Sequence, residues 1–157
     1  MRRPLLPFSK IQRLTYTERP VSLPAELRPL WKISCILLVL KLNCVREKSS
    51  LSKLQLFNWG MSSPDNMKNL VDFGTSRDRK SLPDVIPLDP SINRAVALAV
   101  ADGLVELDKS GRVMLSNKGN TLVHWILNDE DIFRTEKEVL AMIGKSITED
   151  AFLRAYK

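Results

Sequence analysis

Cysteine and histidine are almost missing: the 157 residues hold two cysteines, Cys35 and Cys44, and one histidine, His124. Two thiols make no disulfide framework. On one helix they would stand about 13 Å apart along the axis, beyond the roughly 7 Å spanned by bridged Cα atoms. Both read as buried thiols of a reducing compartment. A lone histidine without Cys-x-x-Cys or paired-histidine company leaves no structural zinc site, so no metal and no cofactor are expected. Long apolar runs are missing too. Cys35-Ile36-Leu37-Leu38-Val39-Leu40 is bracketed by Lys32 and Lys41, far short of the ~20 residues a bilayer crossing takes. Met1-Arg2-Arg3-Pro4-Leu5-Leu6-Pro7 has the charge of a signal n-region, but no apolar h-region or small-residue cleavage site follows. The expectation is a cytoplasmic protein without membrane contact. Six Gly and nine Pro are too few for a collagen-like or low-complexity chain, whereas five Phe, three Trp and two Tyr supply large core side chains. A chain of this length buries about two-thirds of its unfolded surface and needs no staple.

What is there is an uneven charge. The net of +6 is concentrated in residues 1–59, which carry 11 Lys/Arg against 3 Asp/Glu. Residues 60–128 are balanced at 8 each, and residues 129–157 hold 5 basic against 7 acidic. A basic first third fits a polyanion or an acidic partner surface; a solvated basic face is the bland alternative.

Pro4, Pro7, Pro20 and Pro24 break residues 1–24, which read as a basic extended arm with Phe8, Ile11, Leu14 and Tyr16 as anchors. Residues 25–157 read as one domain. Pro29 opens a helix to about Asn43, with Leu30, Ile33, Ile36, Leu37 and Leu40 on one face and Trp31, Leu38 and Val39 making it oily nearly all round. Such a helix is central to a core or covered by a partner subunit. Ser49 or Ser50 caps a helix over about 50–61, with Leu51, Leu54, Phe57 and Met61 at helical spacing. Ser63-Pro64-Asp65 caps another over about 64–74, with Met67, Leu70, Val71 and Phe73 as its apolar positions. Residues 75–90 are irregular, with one short strand expected at Val85-Ile86.

The clearest helix is 91–102, with Ile92, Ala95, Val96, Ala99 and Val100 inward and Asn93 and Arg94 outward. Gly103 ends it. Leu104–Leu107 and Arg112–Leu115 alternate as strands around the turn Asp108-Lys109-Ser110-Gly111. Ser116 caps a helix over about 117–128, with Leu122, Val123, Ile126 and Leu127 as its buried row, and two short helices follow over about 134–144 and 148–156.

No catalytic constellation emerges, and no enzyme is expected. Gly144-Lys145-Ser146 looks like the end of a P-loop, but position 139, where the first glycine would fall, is Val139. Asp129-Glu130-Asp131, Glu136 and Glu138 are carboxylates without a partner base or metal ligand set, so solvation and capping account for them. His124 has no nucleophile at recognisable spacing and reads as a half-buried structural residue.

Helix, glycine, strand, tight turn, strand and further helix is the grammar of a winged helix. The run Asp102-Gly103-Leu104-Val105 … Gly111-Arg112-Val113-Met114-Leu115-Ser116-Asn117-Lys118-Gly119 resembles the stretch seen at this point across winged-helix proteins. The expected fold is therefore mainly α with a small β-hairpin wing, a winged-helix (helix-turn-helix type) core at about 50–128 and extra helices at both ends. Winged helices bind DNA, RNA or proteins alike. As a groove reader the 91–102 helix is poor, because after Ser91, Asn93 and Arg94 it offers mostly Ala, Val and Leu. Candidate nucleic-acid contacts are Arg2, Arg3, Lys10, Arg13, Asn93, Arg94, Lys109 and Arg112. Candidate partner-interface residues are Phe8, Ile11, Leu14, Trp31, Ile33, Leu38 and Trp59.

The stretch from Leu30 through Leu40 and Cys44 to Lys48–Trp59, with Pro90–Ala95 and Asp102–Val105, resembles the middle component of ABC-three-component systems, and within them the small accessory subunit of Lamassu-type anti-phage defence. The similarity covers residues 28–157 and rests on order and spacing. It implies a non-catalytic scaffold and regulator that joins an SMC-like ATPase to a nuclease-type effector, with DNA met through the complex. The oily helix and the arm would then be covered by partner chains. A winged-helix transcriptional regulator that binds DNA itself is the alternative.

Overall fold

The computed structural model of the chain describes residues 28–157. Pro29 opens α1 (Pro29–Asn43), where its missing N–H costs no helical bond. A helix that is apolar nearly all round must be covered nearly all round, and α1 is: four of the helices that follow it in the chain pack about it. Ile36 to Leu40 are all buried. Of the two readings of this helix, the chain's own core is the one observed. Leu30, on the same apolar face as Ile33, Ile36, Leu37 and Leu40, is nevertheless exposed, because it lies in the first turn beyond the reach of the surrounding helices.

A 3₁₀ turn at Val45–Glu47 leads into β1 (Lys48–Ser49), a two-residue strand. Ser50 Oγ accepts the Lys53 N–H at 3.2 Å and starts α2 (Leu51–Gly60). Ser63 caps α3 (Pro64–Ser76) in the same way. No strand forms at Val85-Ile86. Pro83 and Pro87 withhold ladder donors on either side, and Val85 stands exposed.

Asp89 caps α4 (Pro90–Ala101), which buries Ile92, Ala95, Val96 and Ala99. Val100, expected inward, lies at the edge of that stripe and is exposed. The helix ends on Gly103 at φ 71°, with the Leu104 N–H donating to the Ala99 carbonyl at 2.8 Å and the Gly103 N–H to Val100 at 2.9 Å. This is the paired 6→1 and 5→2 arrangement that a left-handed glycine permits.

The hairpin of β2 (Val105–Leu107) and β3 (Val113–Leu115) follows, and β1 pairs on its other side, giving the antiparallel order β1-β3-β2. Val105 and Val113 are buried while Leu107 faces out. Asp108 organises the turn: its Oδ1 accepts from the Ser110 N–H at 2.8 Å and the Arg112 N–H at 2.9 Å, and its carboxylate pairs with Lys48. Ser116 caps α5 (Asn117–Asn128). α6 (Arg134–Ile143) and α7 (Glu149–Ala155), the latter capped by Thr148, complete the described chain. Asn43 Nδ2 donates to the carbonyls of Leu140 at 2.9 Å and Gly144 at 2.7 Å, tying the ends of α1 and α6.

Cys35 and Cys44 are buried and unpaired. Burial pushes both thiols up, reinforced at Cys35 by Glu136 and opposed at Cys44 by Lys53. No helix among the described residues is long and apolar enough to cross a membrane.

Candidate protein-contact surface

The position of α4 is set from beneath by polar side chains. Lys32, buried on α1, donates from Nζ to Asp89 Oδ2 at 2.6 Å and to Asn58 Oδ1 at 3.1 Å. Asn58 Nδ2 donates to the same Asp89 oxygen at 3.2 Å. Gln55 brackets the Asp89 main chain, its Oε1 accepting the N–H and its Nε2 donating to the carbonyl, each at 3.0 Å. Asp89 Oδ1 meanwhile accepts from the Ser91 N–H and hydroxyl. Burial pushes the Asp89 carboxyl up, but the hydrogen bonds from Lys32 and Ser91 and the charge of Lys32 outweigh it and hold it well below the ordinary carboxylate range. α1, α2 and the start of α4 therefore meet at one satisfied network.

Above this anchor α4 turns a mostly neutral face to solvent. Asn93 and Arg94 are exposed as expected, and behind them Ala97, Leu98, Val100 and Ala101 are exposed too. Forked donors stop after the first turn, so the outward face offers a groove little to read. Lys109 and Arg112 are exposed at the hairpin turn. Arg2, Arg3, Lys10, Arg13, Phe8, Ile11 and Leu14, with the whole arm 1–24, lie outside the described residues.

Two expected interface residues belong elsewhere. Ile33 and Leu38 are buried in the chain's own core, because α1 is enclosed by neighbouring helices, and neither is available to a partner. Trp59 is half-buried and packs on that core. Trp31 is half-buried with one face in a groove. Arg28, Pro29, Leu30, Trp31, Ser34 and Phe133 line this groove, and the rings of Trp31 and Phe133 meet at 6.4 Å. Phe133 reaches it from a left-handed backbone at φ 55°, as the residue preceding α6.

Other apolar side chains stand open to solvent. Trp125, the bulkiest of them, is 73% exposed on α5; Leu30 is exposed at the lip of the groove and Ile132 beside Phe133, while Val85, Leu88 and Met142 are exposed elsewhere. A signal for Trp125 exists in the sequence, since it falls outside the row Leu122, Val123, Ile126 and Leu127, of which Val123 and Ile126 are buried and Leu122 and Leu127 half-buried. His124 is also exposed, not half-buried, because it shares that outer side of α5. Among the described residues no three His, Cys, Asp or Glu side chains come together to hold a metal ion. The chain matches no family model, no curated protein and no solved structure.

Proposed function

We propose that this protein is a non-catalytic assembly and regulatory subunit of an SMC-like ATPase complex of anti-phage defence, holding the ATPase to a nuclease-type effector in the cytoplasm. The observation that carries the reading is Trp125, the one of the three tryptophans that is exposed, together with Leu30 and Ile132 beside the Trp31–Phe133 groove. Tryptophan is costly to leave in water and is enriched where interfaces concentrate their binding energy. A winged-helix core is supported by α4 ending on Gly103, by the hairpin directly after it and by the strand β1 that precedes α2. The apolar outer face of α4 supports protein over base contact.

Co-expression with the products of neighbouring genes tests this. The full chain should copurify with a coiled-coil ATPase, and Trp125→Ala with Leu30→Ala should weaken the association by roughly thirtyfold, equivalent to about 2 kcal/mol. A monodisperse monomer that captures none of those products overturns the proposal.

The exposure of Lys109 and Arg112 favours one second reading, a winged-helix regulator that binds DNA itself. It requires salt-dependent DNA affinity whose log–log slope falls by about 1 for each of Lys109→Ala and Arg112→Ala. Fluorescence anisotropy on a duplex at low salt measures this, and an unchanged slope or no binding eliminates the second reading.

A further inference from the structure

Three arginines converge on one open cavity between the end of α3, the turn after it and α7. Arg77, Arg79 and Arg154 line it with Phe73, Ala151 and Ala155. No carboxylate joins the lining, and among the described residues none of the three arginines stands in an ion pair. Of the acids nearby, Asp78 Oδ1 caps the following 3₁₀ turn through the Lys80 N–H and Asp150 is exposed in the first turn of α7. Asp84 offers Arg79 its main-chain carbonyl, and its carboxylate acts on the Tyr156 hydroxyl from the same side as Arg79 without pairing with it.

What fixes these guanidinium groups is neutral. Arg79 donates from Nε to the Ala155 carbonyl at 2.5 Å, from Nη1 to Leu82 at 3.1 Å and from Nη2 to Asp84 at 3.1 Å, and it lies 4.4 Å over the Tyr156 ring. Arg77 donates from Nη2 to the Ser146 carbonyl and lies 5.9 Å over the Phe73 ring. Carbonyls and ring faces hold the geometry without an ion pair, although the C-terminal ends of α3 and α7 and the nearby Asp84 offset part of the charge. Each guanidinium has five N–H donors, so Arg79 keeps two and Arg77 keeps four. Stapling accounts for Arg79, which holds its loop to α7, and for the one bond by which Arg77 holds the end of α3 to Ser146; it leaves the exposed Arg154 on the same cavity unexplained.

We propose that this cavity binds a phosphate group, on elements separate from α4 and the hairpin and independently of the assembly reading. Rigid guanidinium forks suit a tetrahedral oxyanion, whose oxygens accept from several sides at once. The test is a titration of the full chain with sodium phosphate at constant ionic strength, followed by ¹H–¹⁵N spectra of the Ala151–Ala155 amides and the Arg77 and Arg79 Nε–H groups. Saturable shifts at low millimolar phosphate are expected. The surface variant Arg154→Gln should weaken them roughly tenfold, as should Arg77→Gln, while Lys109→Gln leaves them unchanged. A second arm uses a ten-nucleotide deoxythymidine oligomer lacking terminal phosphates. Tighter binding at the same resonances identifies a nucleic-acid backbone as the source; binding of inorganic phosphate alone identifies a free phosphoryl compound. Absence of saturation, equal affinity for a glutamate peptide, or unaltered binding by both arginine variants overturns the proposal.

Discussion

Gly119→Ala should cost about 3 kcal/mol of stability, read as an earlier urea midpoint with an unchanged slope. An alanine Cβ at this position would stand 2.0 Å from the Leu104 carbonyl oxygen and 2.9 Å from Leu115 Cδ1. The main chain there has little freedom to retreat. The Leu104 carbonyl accepts the Ser116 N–H at 3.1 Å, the Leu104 N–H is held by Ala99, and Ser116 Oγ donates to the Gly103 carbonyl at 2.6 Å. α5 can approach the entry of β2 this closely because residue 119 has no side chain. Gly111→Ala is the control: at φ 77° with nothing within 4 Å, it should lose about 1–2 kcal/mol from backbone strain alone. Equal losses for the two variants would refute the close approach.

Asp89→Ala should also cost about 3 kcal/mol, by a different route. It removes the cap of α4, worth about 1 kcal/mol, and leaves the Lys32 ammonium, 5% exposed, with Asn58 as its remaining partner. Because Asp89 itself keeps 35% exposure, stranding Lys32 costs about 2 kcal/mol, less than for a fully buried pair, which with the cap makes up the total. Asp89→Ala with Lys32→Met should recover part of the loss, since no buried charge is then stranded. The pH dependence has a definite sign. The carboxyl is held below its ordinary value in the fold, so its contribution is complete above about pH 4 and lost as acid takes the pH down through the folded value. The gap between wild type and Asp89→Ala, followed by thermal unfolding, should therefore narrow on acidification. A gap that widens would contradict the network.

Where the chain states its periodicity strongly, the fold is legible. Ser50, Ser63, Asp89, Ser116 and Thr148 all accept a first-turn N–H, as their residue types require, and Gly103 and Gly111 take the positive φ that a cap and a turn demand. β1 was not legible, because two residues cannot show an alternation and their partner lies some 65 positions onward at β3. The surface was read less well than the core. An all-apolar helix does not say which of its residues lie beyond its neighbours: Leu30 and Ile33 share one apolar face, yet packing leaves Leu30 exposed and buries Ile33 together with Leu38, both candidate interface residues. The three-arginine cavity was hidden for a similar reason: Arg77 and Arg79 are separated from Arg154 by some 75 residues, and only the docking of α7 brings them together.

The enclosure of α1 also sets an order of events during synthesis. Ile36 to Leu40 leave the ribosome well before Leu140 and Ile143, which help to bury them. At ~5–20 residues per second, this greasy segment waits on the order of ten seconds for its last cover. Until then α2 and α4, made earlier, are the partners within the chain against which this segment can collapse.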